Sequence, residues 1–426
     1  MKRFLSILGP GMLYAGAAIG VSHLVQSTRA GADFGFELMW ILLLANILKY
    51  PFFEVAGRYV HATGYNLIDA YRFAGKWVLV LFGLLTLLTM FPIQAAVTMV
   101  TAGLAINLTG LPLNPLQMSI LLIAATILIL ISGKYRTLDG LVKFIILVLT
   151  LSTVTALVAA SLNHSGGIAD AAVFDFGNRT HIYFLIAFIG WMPAPIDVAV
   201  WSSLWNQAKM KQLSFQPSLE EVLREFRIGY FGTMIIAAVF LALGALVLHG
   251  TDESLSANGA VFAGQLISLY TGSIGWWAYP VISIAAFTTM FSTTITVTDA
   301  YPRVLGPVAG HLFNRPVVGQ NRFVYILIML IVSSGALYLI YRAGTSMRFM
   351  VDLATSLSFV TAPILAVINY RIAHSSHMPV EARPGLFLKI WAWVGIVFLV
   401  LFTLYYLLWL VMSYFIVGIL VRISHI

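Results

Sequence analysis

Apolar residues run along this chain in long unbroken stretches. Each is long enough for a helix of roughly 20 residues, the length that crosses a bilayer, and none shows the period-two alternation of barrel strands. Eleven spans follow from the pattern, at 7–28, 36–60, 77–108, 115–132, 139–162, 181–204, 226–249, 275–299, 322–341, 346–371 and 387–420. Segment 255–271 predicts an interfacial helix instead, because Asp252 and Glu253 flank it and Ser, Asn and Gln interrupt its apolar positions. Two spans carry polar or helix-breaking residues in the middle. The first contains Ile19-Gly20-Val21-Ser22-His23, and the sixth contains Trp191-Met192-Pro193-Ala194-Pro195-Ile196-Asp197. Two prolines two residues apart each remove an N–H and clash one turn back, so the sixth helix must break. Broken backbone at membrane depth is tolerated only where protein buries it or where it lines a cavity.

Composition turns this pattern into a class. The chain of 426 residues is 60% hydrophobic and 9% charged, with a mean hydropathy of +0.93. A soluble domain carries about 25% charged residues. The expected fold is therefore an all-α membrane protein. Cysteine is absent, which excludes disulfides, thiolate metal sites and cysteine nucleophiles. The net charge of +8 does not point to nucleic acid, because the basic residues are scattered between spans and form no stripe. Met1-Lys2-Arg3 before an apolar run resembles a signal peptide, but the run continues past signal-peptide length with no convincing cleavage site and reads as the first span.

Charge placement sets the expected orientation. With the N-terminus inside, only Arg29, Arg179, Arg342, Arg348 and Arg422 fall outside. The other nineteen of the 24 Lys and Arg fall inside, from Lys2 and Arg3 through Lys49, Lys134, Arg136, Lys143 and Arg315 to Lys389. This positive-inside bias supports an N-in, C-out chain with an odd number of spans. The connection 205–225 becomes the longest polar inner loop. Five spans separate the two broken ones, so the second set of five enters the membrane from the opposite side. The chain then reads as one transmembrane domain over 1–426, with a first five-helix repeat at 1–162, an inverted second repeat at 181–371 and an extra C-terminal helix at 387–420. Paired interruptions in such halves mark the binding site of a secondary transporter.

Several motifs resemble the Nramp family of divalent-metal transporters. They are Leu8-Gly9-Pro10-Gly11, Phe34-Gly35, Ala62-Thr63-Gly64 with Asn66-Leu67-Ile68-Asp69-Ala70-Tyr71-Arg72, Ile106-Asn107-Leu108-Thr109-Gly110-Leu111-Pro112-Leu113, Gly133-Lys134-Tyr135-Arg136 with Leu138, and Trp201-Ser202-Ser203-Leu204. The matches are sequential from residue 8 to about 204; beyond 210 the best piece is Ser292-Thr293-Thr294-Ile295-Thr296. The resemblance implies the LeuT-type fold, a 5+5 inverted repeat with helices 1 and 6 broken, and secondary transport. It also exposes departures. Counted from the flanking motifs, the family's metal-binding Asp, Asn and Met positions hold Gly20, His23 and Ala194, and the His after the proline is Ile196. The acidic residues of the third span become Ala95 and Thr98, and the His ending the sixth becomes Trp201. The thioether, the carboxylate and the proton relay are all replaced.

The candidate residues lie at the breaks. Asp197 is the leading one, a carboxylate at bilayer depth next to unwound carbonyls. His23 sits in the opposite break and could ligate a metal as neutral imidazole or carry a proton. Ile19, Gly20, Gln26, Ala194 and Pro195 complete the expected substrate site, and Asp197 with His23 is the candidate metal pair. Arg29 with Asp33 reads as a surface pair. Glu54 with Arg58 reads as an i,i+4 pair near the inner interface, and Asp69 with Arg72 and Arg136 with Asp139 as pairs of the same kind. Glu54, Thr294 and Asp299 are candidates for gating or an ion path. His374-Ser375-Ser376-His377 lacks the third ligand that zinc needs and reads as loop.

The expectation is a carrier for a small cationic solute, most readily a divalent ion of the harder type such as Mg²⁺ or Mn²⁺, without the usual proton coupling. The alternative is a small organic cation or amino acid. The expected partners are that substrate and the lipid bilayer; no cofactor, nucleic acid or enzymatic chemistry is expected. Topology is directly testable, since the native chain has no cysteine. Cysteines placed at Lys2 and His425 should label from opposite sides of the membrane, Lys2 from the cytoplasm. Labelling of both from one side is incompatible with eleven spans.

Overall fold

The computed structural model describes residues 7, 9–133, 135–163, 174–251, 253–313 and 321–423, with backbone alone at 135–146, 163 and 413–423. Leu8, Lys2, Arg3, Lys134, Asp252 and Arg315 lie outside the described residues, as do the side chains of Arg136, Leu138, Asp139, Lys143 and Arg422. Fifteen α-helices make up the described chain. The first crossing is split into α1 (Pro10–Ala18), a π-wound turn (Ser22–Ser27) and α2 (Thr28–Phe34). Then come α3 (Met39–Thr63), a short α4 (Leu67–Ala74), α5 (Lys76–Thr109), α6 (Pro115–Ser132) and α7 (Tyr135–Asn163). The sixth crossing is split into α8 (Arg179–Gly190) and α9 (Val198–Gln212). It is followed by α10 (Leu219–Val247), α11 (Gly259–Ile274), α12 (Ala278–Leu312), α13 (Arg322–Ala343), α14 (Met347–Ala373) and α15 (Leu386–Ile423).

Eight of these helices are long and apolar enough to cross a membrane: α3, α5, α6, α10, α12, α13, α14 and α15. The 29-residue α7 and the two split crossings bring the number to the eleven that hydropathy predicts. Local signals set the ends. Asn66, Asn114 and Ser218 each close a capping box at a helix start, and Gly64, Gly110 and Gly133 end helices in the left-handed conformation. The predicted loop 205–225 is mostly helix, because α9 continues to Gln212 and the Ser218 cap restarts the chain as α10. The short α4, absent from the hydropathy pattern, comes from the Asn66 cap: Asp69 Oδ2 accepts from Asn66 N, and Asp69 Oδ1 lies 3.1 Å from His311 Nε2. Asp69 therefore serves the cap and His311, not Arg72.

The bundle is layered by exposure. Helices α6, α13 and α15 present large apolar side chains outward, among them Leu128, Phe323 and Leu408, as lipid-facing helices must. The central helices α3, α5, α12 and α14 are mostly buried and surround the two split crossings. Close contact depends on small residues, as in other membrane bundles. At Gly31 an added Cβ would fall 1.9 Å from the Leu241 carbonyl oxygen, so α2 lies directly on the backbone of α10. Gly31→Ala must push these helices apart, a change that costs about 1–3 kcal/mol in a packed interior. Its thermal unfolding midpoint in detergent should drop by several degrees. An unchanged midpoint would mean that α2 and α10 do not touch there.

Candidate functional site

The first break begins where α1 ends. Ile19 takes ψ of 86° and its N–H still reaches Ala15 O, at 2.8 Å. Helical pairing resumes with Leu24 N on Gly20 O at 2.9 Å and winds on as a π turn, in which Ser27 Oγ donates to Ser22 O at 3.1 Å. Gly20 makes a close approach here, since a Cβ would stand 3.1 Å from Thr293 Oγ1 of α12. His23 is fully buried and turned toward α10. Its Nε2 lies 2.9 Å from the Thr233 carbonyl and its Nδ1 2.8 Å from Ser22 Oγ. Both ring nitrogens are thus engaged, and the imidazole anchors the break to α10.

The second break runs from Trp191 to Asp197. Its Met192–Pro193 peptide is cis, and α9 starts with Asp197 at the N-cap, whose side chain makes no capping bond. The last carbonyls of α8 are met from an unexpected direction. Lys49 of α3 is fully buried and donates from Nζ to Ile189 O at 2.6 Å and to Gly190 O at 3.0 Å. A cation at a helix C-terminus meets both the unpaired carbonyls and the negative end of the dipole. Charge counting had assigned Lys49 to the inner surface; the structure puts it inside the bundle at the break. Its signal was its place midway along an apolar span, where an ionisable residue is functional by default. On the other side, Trp191 Nε1 donates to Ser358 Oγ of α14 at 2.8 Å. At Gly190 an added Cβ would meet Thr355 O at 2.1 Å, so α8 lies directly on α14.

Between the breaks is a chamber of about 30 Å³, room for roughly two waters. Ala17, Ala18, Val21 and Ser22 wall it from the first break, and Trp191, Pro193, Ala194, Pro195, Val198 and Trp201 from the second. Ile93 and Val97 of α5 and Thr293 and Val297 of α12 close it. None of these side chains is ionisable. Of the predicted site residues, Ala194 and Pro195 line the chamber, while Ile19, Gly20, His23, Gln26 and Asp197 do not. Asp197 faces a second cavity of about 10 Å³ on the opposite side of the break, lined also by Phe82, Leu85, Thr86, Thr89, Ser358, Thr361 and Leu365. The structure therefore does not bring His23 and Asp197 into one cavity. Among the described residues, no three His, Asp or Glu side chains gather as a metal cluster.

The remaining candidates are paired. Arg29 is buried, not superficial, and binds Asp352 of α14 at 2.7 Å and Gln26 Oε1 at 3.0 Å rather than Asp33. Gln26 in turn donates to Asp352 at 3.2 Å. Asp352 escaped the sequence reading because hydropathy sees it only as one charge near the start of a span. Glu54 forms the expected salt bridge with Arg58, which also holds Ala382 O at 3.0 Å. Asp299 binds Arg303 at 2.6 Å and Tyr325 Oη at 2.5 Å. Thr294 lies 2.8 Å from Thr101 Oγ1, in a hydroxyl seam between α5 and α12. A further missed residue is Glu225 of α10, whose carboxylate accepts from the backbone N–H of Gly9 and of Gly11, both at 2.9 Å. It thereby holds the start of α1. His374 and His377 make separate contacts, with Tyr370 and Phe73, as a loop reading requires.

Two split crossings meeting at a chamber inside a helical bundle give the chain a LeuT-type fold. A sequence profile described as "Natural resistance-associated macrophage protein-like" matches residues 11–410. The chain belongs to the Nramp family. It is 35% identical to an uncharacterized protein of Pasteurella multocida, over 94% of this chain and 91% of that one. It is 22% identical to the divalent metal cation transporter MntH of Pediococcus pentosaceus, over 96% and 92%. Its fold superposes on a mutant of the manganese transporter of Eremococcus coleocola with a TM-score of 0.71, at 15% identity, covering 95% of this chain and 86% of that one.

Lys49 supplies the test of the second break. Lys49→Met keeps the apolar stem and removes the donor, leaving the Gly190 carbonyl unpaired at about 1–3 kcal/mol and Ile189 O with the backbone N–H of Met192, at 3.2 Å. The variant should unfold several degrees below wild type. An equally stable Lys49→Met protein would show that the ammonium is not what holds α8.

Proposed function

We propose that this protein is a secondary transporter that moves a small cationic solute by alternating access, with the solute resting in the chamber between the breaks. The observation that carries this is the chamber itself, bounded by the interrupted backbone of both split crossings. Two sets of contacts on either side of it would open in alternation. Arg29, Gln26 and Asp352 tie α2 to α14, on the outer side by the charge bias. Glu225 ties the start of α1 to α10 on the inner side, and Glu54 with Arg58 holds the turn before α15. The first and second five-helix units, 1–162 and 181–371, would then rock against each other around a fixed site.

Family membership favours a divalent metal as cargo, since named relatives are divalent metal cation transporters. The chamber's polar groups are the hydroxyls of Ser22 and Thr293 and the backbone around the breaks. These are hard oxygen donors, and Ala194 offers no thioether. They suit Mg²⁺ or Mn²⁺ with part of its water retained better than a soft ion. Coupling to protons through the third span is not expected with Ala95 and Thr98 there. A second reading, a small organic cation or amino acid, is favoured by one observation: carbon from Ile93, Val97, Trp191, Val198, Trp201 and Val297 makes most of the chamber wall.

Uptake into proteoliposomes of Mg²⁺, Mn²⁺, Cd²⁺ and a panel of amines and amino acids tests both. The metal reading expects Mg²⁺ and Mn²⁺ to be carried with little discrimination, no micromolar Cd²⁺ binding, and no acidification that scales with uptake. Transport of an organic solute alone selects the second reading. Ala194→Phe, which fills the chamber, should lower uptake of the true substrate at least tenfold in folded protein, taking a tenfold effect as the about 1.4 kcal/mol it represents. Undiminished uptake by this variant would place the solute elsewhere.

A further inference from the structure

The second cavity is not part of the chamber, and its lining has an unusual bias. Asp197 is 8% exposed, and its Oδ1 has no hydrogen-bond partner. Four hydroxyls from two other elements line the same small space: Thr86 and Thr89 of α5, and Ser358 and Thr361 of α14. All four are buried. Each has already committed its hydrogen to its own helix. Thr86 Oγ1 donates to Phe82 O at 2.9 Å and Thr89 Oγ1 to Leu85 O at 3.0 Å. Ser358 Oγ donates to Ala354 O at 2.9 Å and Thr361 Oγ1 to Ser358 O at 3.0 Å. What remains on each oxygen is lone-pair density. The nearby indole N–H of Trp191 is committed to Ser358, and Tyr71 Oη to Asn369 Oδ1 at 2.6 Å; the Tyr301 hydroxyl, also near Asp197, makes no hydrogen bond and does not line the cavity. The other lining side chains are Phe82, Leu85 and Leu365.

Among the described residues, the cavity is thus walled by acceptors and carbon, with one orphaned carboxylate oxygen. A water molecule brings two hydrogens and no charge, so it leaves both the carboxylate charge and several lone pairs unanswered. An unpaired charge at this depth costs several kcal/mol. A monovalent, oxygen-seeking cation answers both. One carboxylate with neutral hydroxyls matches a single positive charge, whereas divalent cations draw on more carboxylates or retained water. A volume of about 10 Å³ admits one occupant of about the size of water.

We propose that Asp197, Thr86, Thr89, Ser358 and Thr361 form a Na⁺ site on the far side of the second break from the substrate chamber. Its occupant ties α5, α14 and the start of α9 together. Because Asp197 and the chamber-lining Ala194, Pro195 and Val198 belong to one short segment, filling the site fixes the chamber wall. Binding of Na⁺ is independent of what the chamber carries; only its use as the coupling ion rests on the transport reading above.

The test is thermal unfolding of the purified full-length protein in detergent, without substrate, with choline replaced by Na⁺ or K⁺ at constant ionic strength. Na⁺ should raise the midpoint by roughly 2–4 °C, the size of shift a ligand well above its Kd produces in a protein of this scale. K⁺ should raise it less. Asp197→Asn should abolish the Na⁺ response. Thr89→Val with Thr361→Val, which keeps the carboxylate, should weaken it, and this pair carries the test if Asp197→Asn does not fold. No Na⁺ response in wild type, an equal response to Na⁺ and K⁺, or a response that survives in both the Asp197 and the Thr variants overturns the site. A failed uptake assay beside an intact Na⁺ shift counts against the transport reading, not against the site.

Discussion

A helix that stops inside a bilayer strands backbone carbonyls where water cannot reach them, and the rest of this architecture depends on how those groups are met. At the second break the answer is Lys49, which places one ammonium on the last two carbonyls of α8. The arrangement satisfies two needs together: the carbonyls gain a donor, and the buried cation gains the negative end of a helix dipole. At the first break the chain meets the same need locally, through Ser22 and Ser27 hydroxyls and a π turn, with His23 fastening the segment to α10. Neither break could persist in an isolated helix; each is held by a neighbouring element.

The second break also divides space. Ala194, Pro195, Val198 and Trp201 face the chamber, while Asp197 points to the opposite side. Val198 and Trp201, three apart on α9, share the chamber face, and Asp197 at the N-cap faces the other cavity. A single seven-residue interruption therefore serves two cavities, one lined by no ionisable side chain and one that holds the Asp197 carboxylate. Whatever moves this segment alters both cavities.

The contacts at the two ends of the split first crossing differ in kind. Arg29 is buried against Phe184 and paired with Asp352, a charged link buried at the guanidinium and partly open to water at the carboxylate. Glu225 instead accepts backbone N–H groups at the start of α1, where the helix dipole favours an anion. Each joins helices through polar groups that water can also satisfy.

Much of the fold was legible before any coordinates. The eleven apolar runs, the two interruptions and the family motifs depend on composition within one segment, and helix formation in lipid leaves little choice once a run is long enough. Hydropathy also located the break residues. It missed α4 and the helical ends of 205–225, because these rest on caps at Asn66 and Ser218 rather than on apolar length. It misplaced Lys49 and Arg29, because counting charges assumes that each lies at a surface, while packing had given both a buried partner distant in sequence. The separation of His23 from Asp197, and the hydroxyls that meet Asp197 from α5 and α14, could not be read from spacing at all. Which face of a helix looks into which cavity is set by its rotation against its neighbours. That rotation is decided by close approaches such as Gly31 on Leu241 and Gly190 on Thr355, contacts between residues far apart along the chain.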